Sequence, residues 1–124
     1  MESYRLYSEI EQSTDVIGAS PHRLIQLLFN KFLVHIALAK TCINDGNIKR
    51  KHVAIAKAMD IIVYLKDCID ARDASTQEIA GLLSTVYSFI QTSIFKASIE
   101  NNIQYLVEVE VAIEPIKSGW DKIG

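Results

Sequence analysis

Proline is nearly missing from this chain, with two residues among 124, and glycine is scarce at five. That excludes a Pro-rich extended linker and any low-complexity tract, and it leaves room for long uninterrupted helices. Cysteine is limited to Cys42 and Cys68, too few for a disulfide scaffold and without the close spacing of a metal-binding pair. Two such thiols on apolar helices behave as small hydrophobes. Neither sign of charge dominates: 13 basic side chains stand against 15 acidic ones, for a net charge of −2. A nucleic-acid partner usually leaves a basic footprint, so none is expected. The one basic cluster, "KRKH" from Lys49 to His52, reads as a solvated first helical turn.

Long hydrophobic runs are lacking as well. Lys31, His35 and Lys40 interrupt the greasiest stretch, well short of the roughly 18 residues a membrane span requires. No membrane insertion is therefore expected. The opening "MESYRLYSEIEQS" has neither the basic n-region nor the apolar h-region of a signal peptide, which suggests a soluble, cytoplasmic protein.

Catalytic signatures are absent too. A di-metal bundle needs Glu-x-x-His pairs facing inward, and no acidic residue stands three before any of the three histidines. There is no H-E-x-x-H, no Gly-rich phosphate loop and no G-x-S-x-G. His22 and His52 sit in first helical turns and are expected to be solvated. His35 reads as a partly exposed bystander, and Glu110 with Glu114 suits a solvent face. The expectation is a non-enzyme without metal or cofactor.

What the chain does have is apolar surface: 49% of residues are apolar and 23% charged, a globular balance. The length suits one domain with one real core. Residues 1–124 are read as that domain, with 1–18 as an N-terminal cap segment and 20–122 as a helical bundle. Ser20-Pro21 should start the first long helix, since Ser accepts a bond from a free N–H and Pro has none to orphan. "NDGN" then supplies Gly46 as a stop near residue 44. Asn47 can cap a second helix from 48 to about 70. "DARDAST" is turn-like, and "STQE" forms a capping box from Ser75 to Glu78, opening a third helix to about 99. "ENN" breaks that helix, and Asn101 or Asn102 caps a fourth reaching Trp120. Long helices joined by short loops predict an all-α, antiparallel up-and-down four-helix bundle with an N-terminal cap segment or short extra helix. Pro115 falls inside the fourth helix, where it should kink or break it.

At about 100° per residue, the first helix has a complete core stripe in Ile25, Leu28, Phe29, Phe32, Ile36, Ala39 and Ile43. A second stripe, Leu27, Val34 and Leu38, lies on roughly the opposite side. On the fourth helix Tyr105, Val109, Ala112, Ile113, Ile116 and Trp120 form a core face, while Val107 and Val111 point elsewhere. On the third, Ile79, Leu83, Val86, Ile90 and Ile94 are core-like, leaving Phe89, Phe95 and Ile99 off the stripe. Any one of these is an ordinary exposed hydrophobe or a contact to a neighbouring helix. As a set they favour grooves for an apolar helical partner, which buries anchors at i, i+3, i+4 and i+7. Ahead of the bundle, "YRLYSEI" places Tyr4, Leu6, Tyr7 and Ile10 with nothing local to bury them. They are read either as a displaceable lid over a groove or as a short extra helix in the core.

An N-terminal Tyr segment, "ASPHRLIQLLF", a "DGN" turn, "KAMDII", "ENN" and a closing "VEVE…I…W" together resemble the flagellin-specific export chaperones, the FliS family, over nearly the whole chain. The resemblance implies an antiparallel helical bundle without catalytic activity. It implies binding of the C-terminal segment of flagellin in the cytoplasm, protection against premature polymerisation, and delivery to the flagellar type III export apparatus. By position, Tyr7 matches the family's N-terminal tyrosine and Tyr4 the nearby apolar position. The expected flagellin-contacting set is Tyr4, Leu6, Tyr7, Ile10, Leu27, Val34, Leu38, Val107 and Val111. A co-chaperone or regulator sharing that surface stays open. The alternative reading is a self-associating helical module, homodimer or adaptor, whose surplus stripes form its interface.

Overall fold

The structure, a computed structural model, describes residues 20–70 and 77–123. The N-terminal cap segment, with Tyr4, Leu6, Tyr7 and Ile10, lies outside the described residues, as does Ser75 of the expected capping box. Helix α1 spans Pro21–Asp45, α2 Ile48–Asp70, α3 Gln77–Glu100 and α4 Ile103–Lys122.

The boundaries follow from local chemistry. Ser20 Oγ accepts the Arg23 N–H at 3.1 Å, satisfying one of the donors that a helix start leaves open. At the other end of α1, Gly46 takes φ 72° and its N–H and that of Asn47 return to the carbonyls of Ile43 and Cys42. That left-handed position is cheap for glycine. Asn47 then caps α2 by accepting the Arg50 N–H at 3.2 Å. Between α3 and α4, Asn101 turns left-handed at φ 52°. Asn102 caps α4 by accepting the Gln104 N–H at 2.9 Å.

The helices pack in a ring, α1 beside α2, α2 beside α3, α3 beside α4 and α4 back beside α1. This is the all-α, up-and-down four-helix bundle that the sequence predicts. Phe29, Phe32 and Ile36 of α1 meet Ile61 and Ile62, Ile90 and Ile94, and Leu106, Val109 and Ile113 from the other three, all fully buried. Each such side chain contributes about 1.5–3 kcal/mol of transfer free energy. Cys42 is buried and Cys68 half-buried, and they are not joined to each other.

Four expectations are corrected. Lys51 is not part of a solvated turn but only 4% exposed. Its ammonium donates to the Ser98 carbonyl at 3.0 Å and to Asn101 Oδ1 at 2.8 Å. A cation in that place satisfies the carbonyl end of α3 and favours its dipole. His22 is not solvated either, because it is half-buried against Trp120. Glu110 is only partly on the solvent face, since it pairs with Lys40 across the α1–α4 seam at 2.6 Å. Finally, of the kink or break expected at Pro115, the break does not occur: α4 runs through to Lys122.

α1 also departs from the expectation that its charges would make it too polar to span a bilayer. Among the described residues it is the one helix long and apolar enough to do so by length and composition. Here its apolar side closes the bundle core, with Leu28, Phe29, Phe32, Ile36, Ala39 and Cys42 buried. A core helix of this kind passes the same test as a membrane span.

Candidate partner-binding surface

Once the core face of each helix is filled, the remaining large hydrophobes stand out on the surface. On α1 Val34 is 63% exposed, on α4 Val111 is 69% exposed, and on α3 Phe89 and Phe95 are 49% and 60% exposed. Leu82 and Ile99 of α3 are similarly open. Helical periodicity puts them there. On α1, Phe32 and Ile36 point inward, so Val34, between them in sequence, must point out. On α4, Val109 and Ile113 are buried and Val111 takes the opposite side for the same reason. Single exposed hydrophobes are ordinary, but here they recur on all four helices, α2 adding Ile48 and Val53.

The described members of the expected contact set divide into three kinds. Val34 and Val111 are open. Leu27 and Val107 are half-buried. Leu38 is half-buried and packs against the core, so it is a wall of the bundle as much as a free surface.

The two stripes do not line one common groove. Between α1 and α4 the outer seam is closed by polar pairs: Lys40 with Glu110, and Gln26 Nε2 donating to Asp121 at 3.1 Å. Leu27, Val34 and Leu38 lie on the side of α1 away from that seam. Val107 and Val111 stand on the outer side of α4, opposite Val109.

Two ends of the bundle are fastened differently. At one, His22 Nε2 donates to the Trp120 carbonyl at 2.7 Å while Trp120 Nε1 donates to the His22 carbonyl at 3.1 Å. At the other, beside Lys51 and Asn101, a cleft of about 240 Å³ is lined by Cys42, Ile43, Gly46 and Ile48. Among the described residues, no group of three or more His, Cys, Asp or Glu side chains converges as a metal site would require.

Ion pairs on α4 set its few shifted titrations. Lys117 donates to Asp121 at 2.9 Å. That bond, with a smaller one from Gln26, holds the Asp121 carboxyl below its usual range, and it raises Lys117 in turn. The Tyr105 hydroxyl is pushed up, first by its hydrogen bond to Glu100. Such exposed pairs are weak stabilisers. The surface offers apolar anchors with scattered polar rims, a composition suited to recognition.

Comparison with known proteins points the same way. The sequence profile described as "Flagellar protein FliS" matches residues 3–124. The chain is 32% identical to the Flagellar secretion chaperone FliS of Vibrio cholerae over 121 residues, 98% of this chain and 88% of that protein. It is also 32% identical to the Flagellar secretion chaperone FliSB of Pseudomonas aeruginosa over 123 residues, 99% of this chain and 96% of that one. Similarity extends to the Bacillus subtilis Flagellar secretion chaperone FliS, 27% identical over 109 residues, 88% of this chain and 79% of that protein.

Proposed function

This chain belongs to the FliS family of flagellar secretion chaperones, and on that premise we propose that it binds the C-terminal segment of flagellin in the cytoplasm. In doing so it prevents premature polymerisation and hands the subunit to the flagellar type III export apparatus. The whole chain acts as one chaperone domain without enzymatic activity.

The observation that carries this reading is the apolar surface left over after the core is complete: Val34, Phe89, Phe95, Ile99 and Val111 remain open. A flagellin tail that is disordered before binding must be ordered on the chaperone, at a cost of about 2–5 kcal/mol or more. Burying a side chain of Val, Leu or Phe size recovers about 1.5–3 kcal/mol. Several anchors seated on outer faces are therefore enough to offset the ordering, whereas one polar contact is not. Tyr4, Leu6, Tyr7 and Ile10, which lie outside the described residues, are further contact residues in this reading. Leu27, Val34 and Leu38 on α1, and Val107 and Val111 on α4, are the contact residues within the bundle.

Polymerisation followed by light scattering tests the activity. Flagellin monomers seeded with filament fragments should elongate normally alone and stall with one equivalent of this protein. Unchanged elongation at a severalfold excess would defeat the proposal. Growth of the chaperone's own mass with concentration, in the absence of flagellin, would favour a self-associating module instead.

A further inference from the structure

The cleft at the Lys51 end of the bundle holds a charge that the protein meets only in part. Lys51 is buried, and an ammonium has three N–H donors. One goes to the Ser98 carbonyl at 3.0 Å and one to Asn101 Oδ1 at 2.8 Å. Both acceptors are neutral. Glu100, the acidic residue next to Asn101 in sequence, is turned to the Tyr105 hydroxyl instead. The carbonyl end of α3 supplies only about half a unit of negative charge. A cation taken out of water without a full counter-charge carries an unrecovered desolvation cost, so a further acceptor, and a negative one, would be favoured there.

Asn101 adds donors beside that ammonium. Because an ammonium cannot accept, the amide oxygen of Asn101 faces Lys51 and its NH2 is left for another partner. Lys51 and Asn101 both line the cleft of about 240 Å³, and Cys42, Ile43, Gly46 and Ile48 form its other walls. Those walls are apolar, and a Cβ added to Gly46 would meet only open space. The cleft also lies at the start of α2, where the first N–H groups of the helix give it a positive end. A buried cation, an amide donor and a helix start thus border one small apolar space.

We propose that this cleft binds the anion of a small carboxylic acid with a short aliphatic tail. Its carboxylate takes the Lys51 ammonium and the Asn101 amide, and its tail lies against Ile43 and Ile48. Two adjacent donors match the two oxygens of one carboxylate. The other walls select the tail: an inorganic anion would leave the isoleucines wet, an amine would meet a like charge, and an alcohol would leave the cation unmatched. At roughly 30 Å³ for each atom-sized unit, the space holds about eight non-hydrogen atoms, the size of hexanoate. None of the lining residues belongs to the flagellin-contacting set, so this site stands or falls apart from the chaperone function.

Amide proton–nitrogen NMR of the full-length chain, titrated with sodium hexanoate, tests this, with hexylamine, hexanol and sodium phosphate alongside. Hexanoate should move the amides of Cys42, Gly46, Ile48 and Asn101 along one saturable curve, with a Kd on the order of 1 mM. Each of the other three should bind at least about tenfold more weakly. Asn101→Asp keeps an acceptor for Lys51, tolerates the left-handed backbone at φ 52°, and supplies the missing carboxylate from within. It should hold or raise the Tm while weakening hexanoate at least about tenfold. Ile48→Ala, at an exposed rim position, should weaken hexanoate severalfold and leave the fold intact. A Lys51 that serves only to cap α3 predicts no saturable hexanoate response at these amides, and that result would overturn the inference. So would hexanoate binding that Asn101→Asp leaves unchanged, or phosphate binding as tightly as hexanoate.

Discussion

His22 and Trp120 hold each other twice, each donating from its ring to the other's main-chain carbonyl, at 2.7 and 3.1 Å, with the rings stacked 4.8 Å apart and 10° from parallel. A carbonyl can only accept, so the imidazole carries its hydrogen on Nε2 in this contact. The first turn of α1 is fastened by this pair to the last turn of α4.

The clasp should be measurable as a coupling. His22→Ala and Trp120→Phe are each expected to cost about 1–2 kcal/mol in urea unfolding, since each removes one of the two ring-to-carbonyl bonds and the ring stacking. The double variant should cost less than the two added together, by at least about 0.5 kcal/mol. Strict additivity would mean that the contact stores nothing. Trp120 is the only tryptophan in the chain, so its fluorescence reports the same event locally.

Lys51 and its neighbours in sequence should behave in opposite ways. Lys51→Ala removes two bonds from a buried ammonium and should destabilise by about 1.5–3 kcal/mol. Lys49→Ala and Arg50→Ala remove exposed cations from the positive end of α2, where the helix dipole disfavours them. They should stay within about 0.5 kcal/mol of the parent, on the stabilising side. Equal losses at all three positions would contradict the burial of Lys51.

The pH dependence of stability should carry an acid-side contribution from Asp121. Its carboxyl is held down mainly by the Lys117 bond, so folding favours the ionised form. That contribution is fully present above the unfolded carboxylate value, about 3.9, and is lost as the pH falls through the lower folded value. Asp121→Asn should remove that part of the acid-side slope and lower stability at neutral pH by the small amount the exposed pair contributes. On the alkaline side, the raised Tyr105 and Lys117 values give stability that is present below about 10 and lost as the pH climbs through their folded values. Chemical denaturation at a series of pH values checks both arms. An acid slope identical in Asp121→Asn would refute the first.

Much of the bundle was legible because its signals are local. Ser20-Pro21, Gly46, Asn47 and Asn102 each act within a few residues, and the structure uses all four as the sequence suggests. Alternation along the helices likewise separated Phe32 and Ile36 from Val34, and Ile90 and Ile94 from Phe89 and Phe95. What escaped depends on partners far away in the chain. Lys51 reads as one cation among four basic residues until Ser98 and Asn101 fold over it. His22 reads as a surface residue until Trp120 arrives from the opposite terminus. Leu106 and Tyr87 are buried although the stripes read from the sequence passed beside them, because a real helix buries a broader arc than one line of residues. Pro115 misled in the other direction, since neighbouring helices can keep a helix running past a missing bond. Of the partner surface, the exposure of Val34 and Val111 was legible. That α1 and α4 are sealed to each other by Lys40–Glu110 and Gln26–Asp121 was not, because side-chain pairing across a seam has no sequence period.

Calorimetric titration of the C-terminal segment of the same organism's flagellin into this protein tests the chaperone assignment most directly, with Tyr7→Ala and Leu38→Glu run beside it. The account predicts one-to-one binding with a negative heat-capacity change, the mark of apolar burial, weakened at least tenfold by either substitution in a protein that remains folded. No heat of binding, from a folded wild-type chain whose mass instead grows with its own concentration, would contradict it.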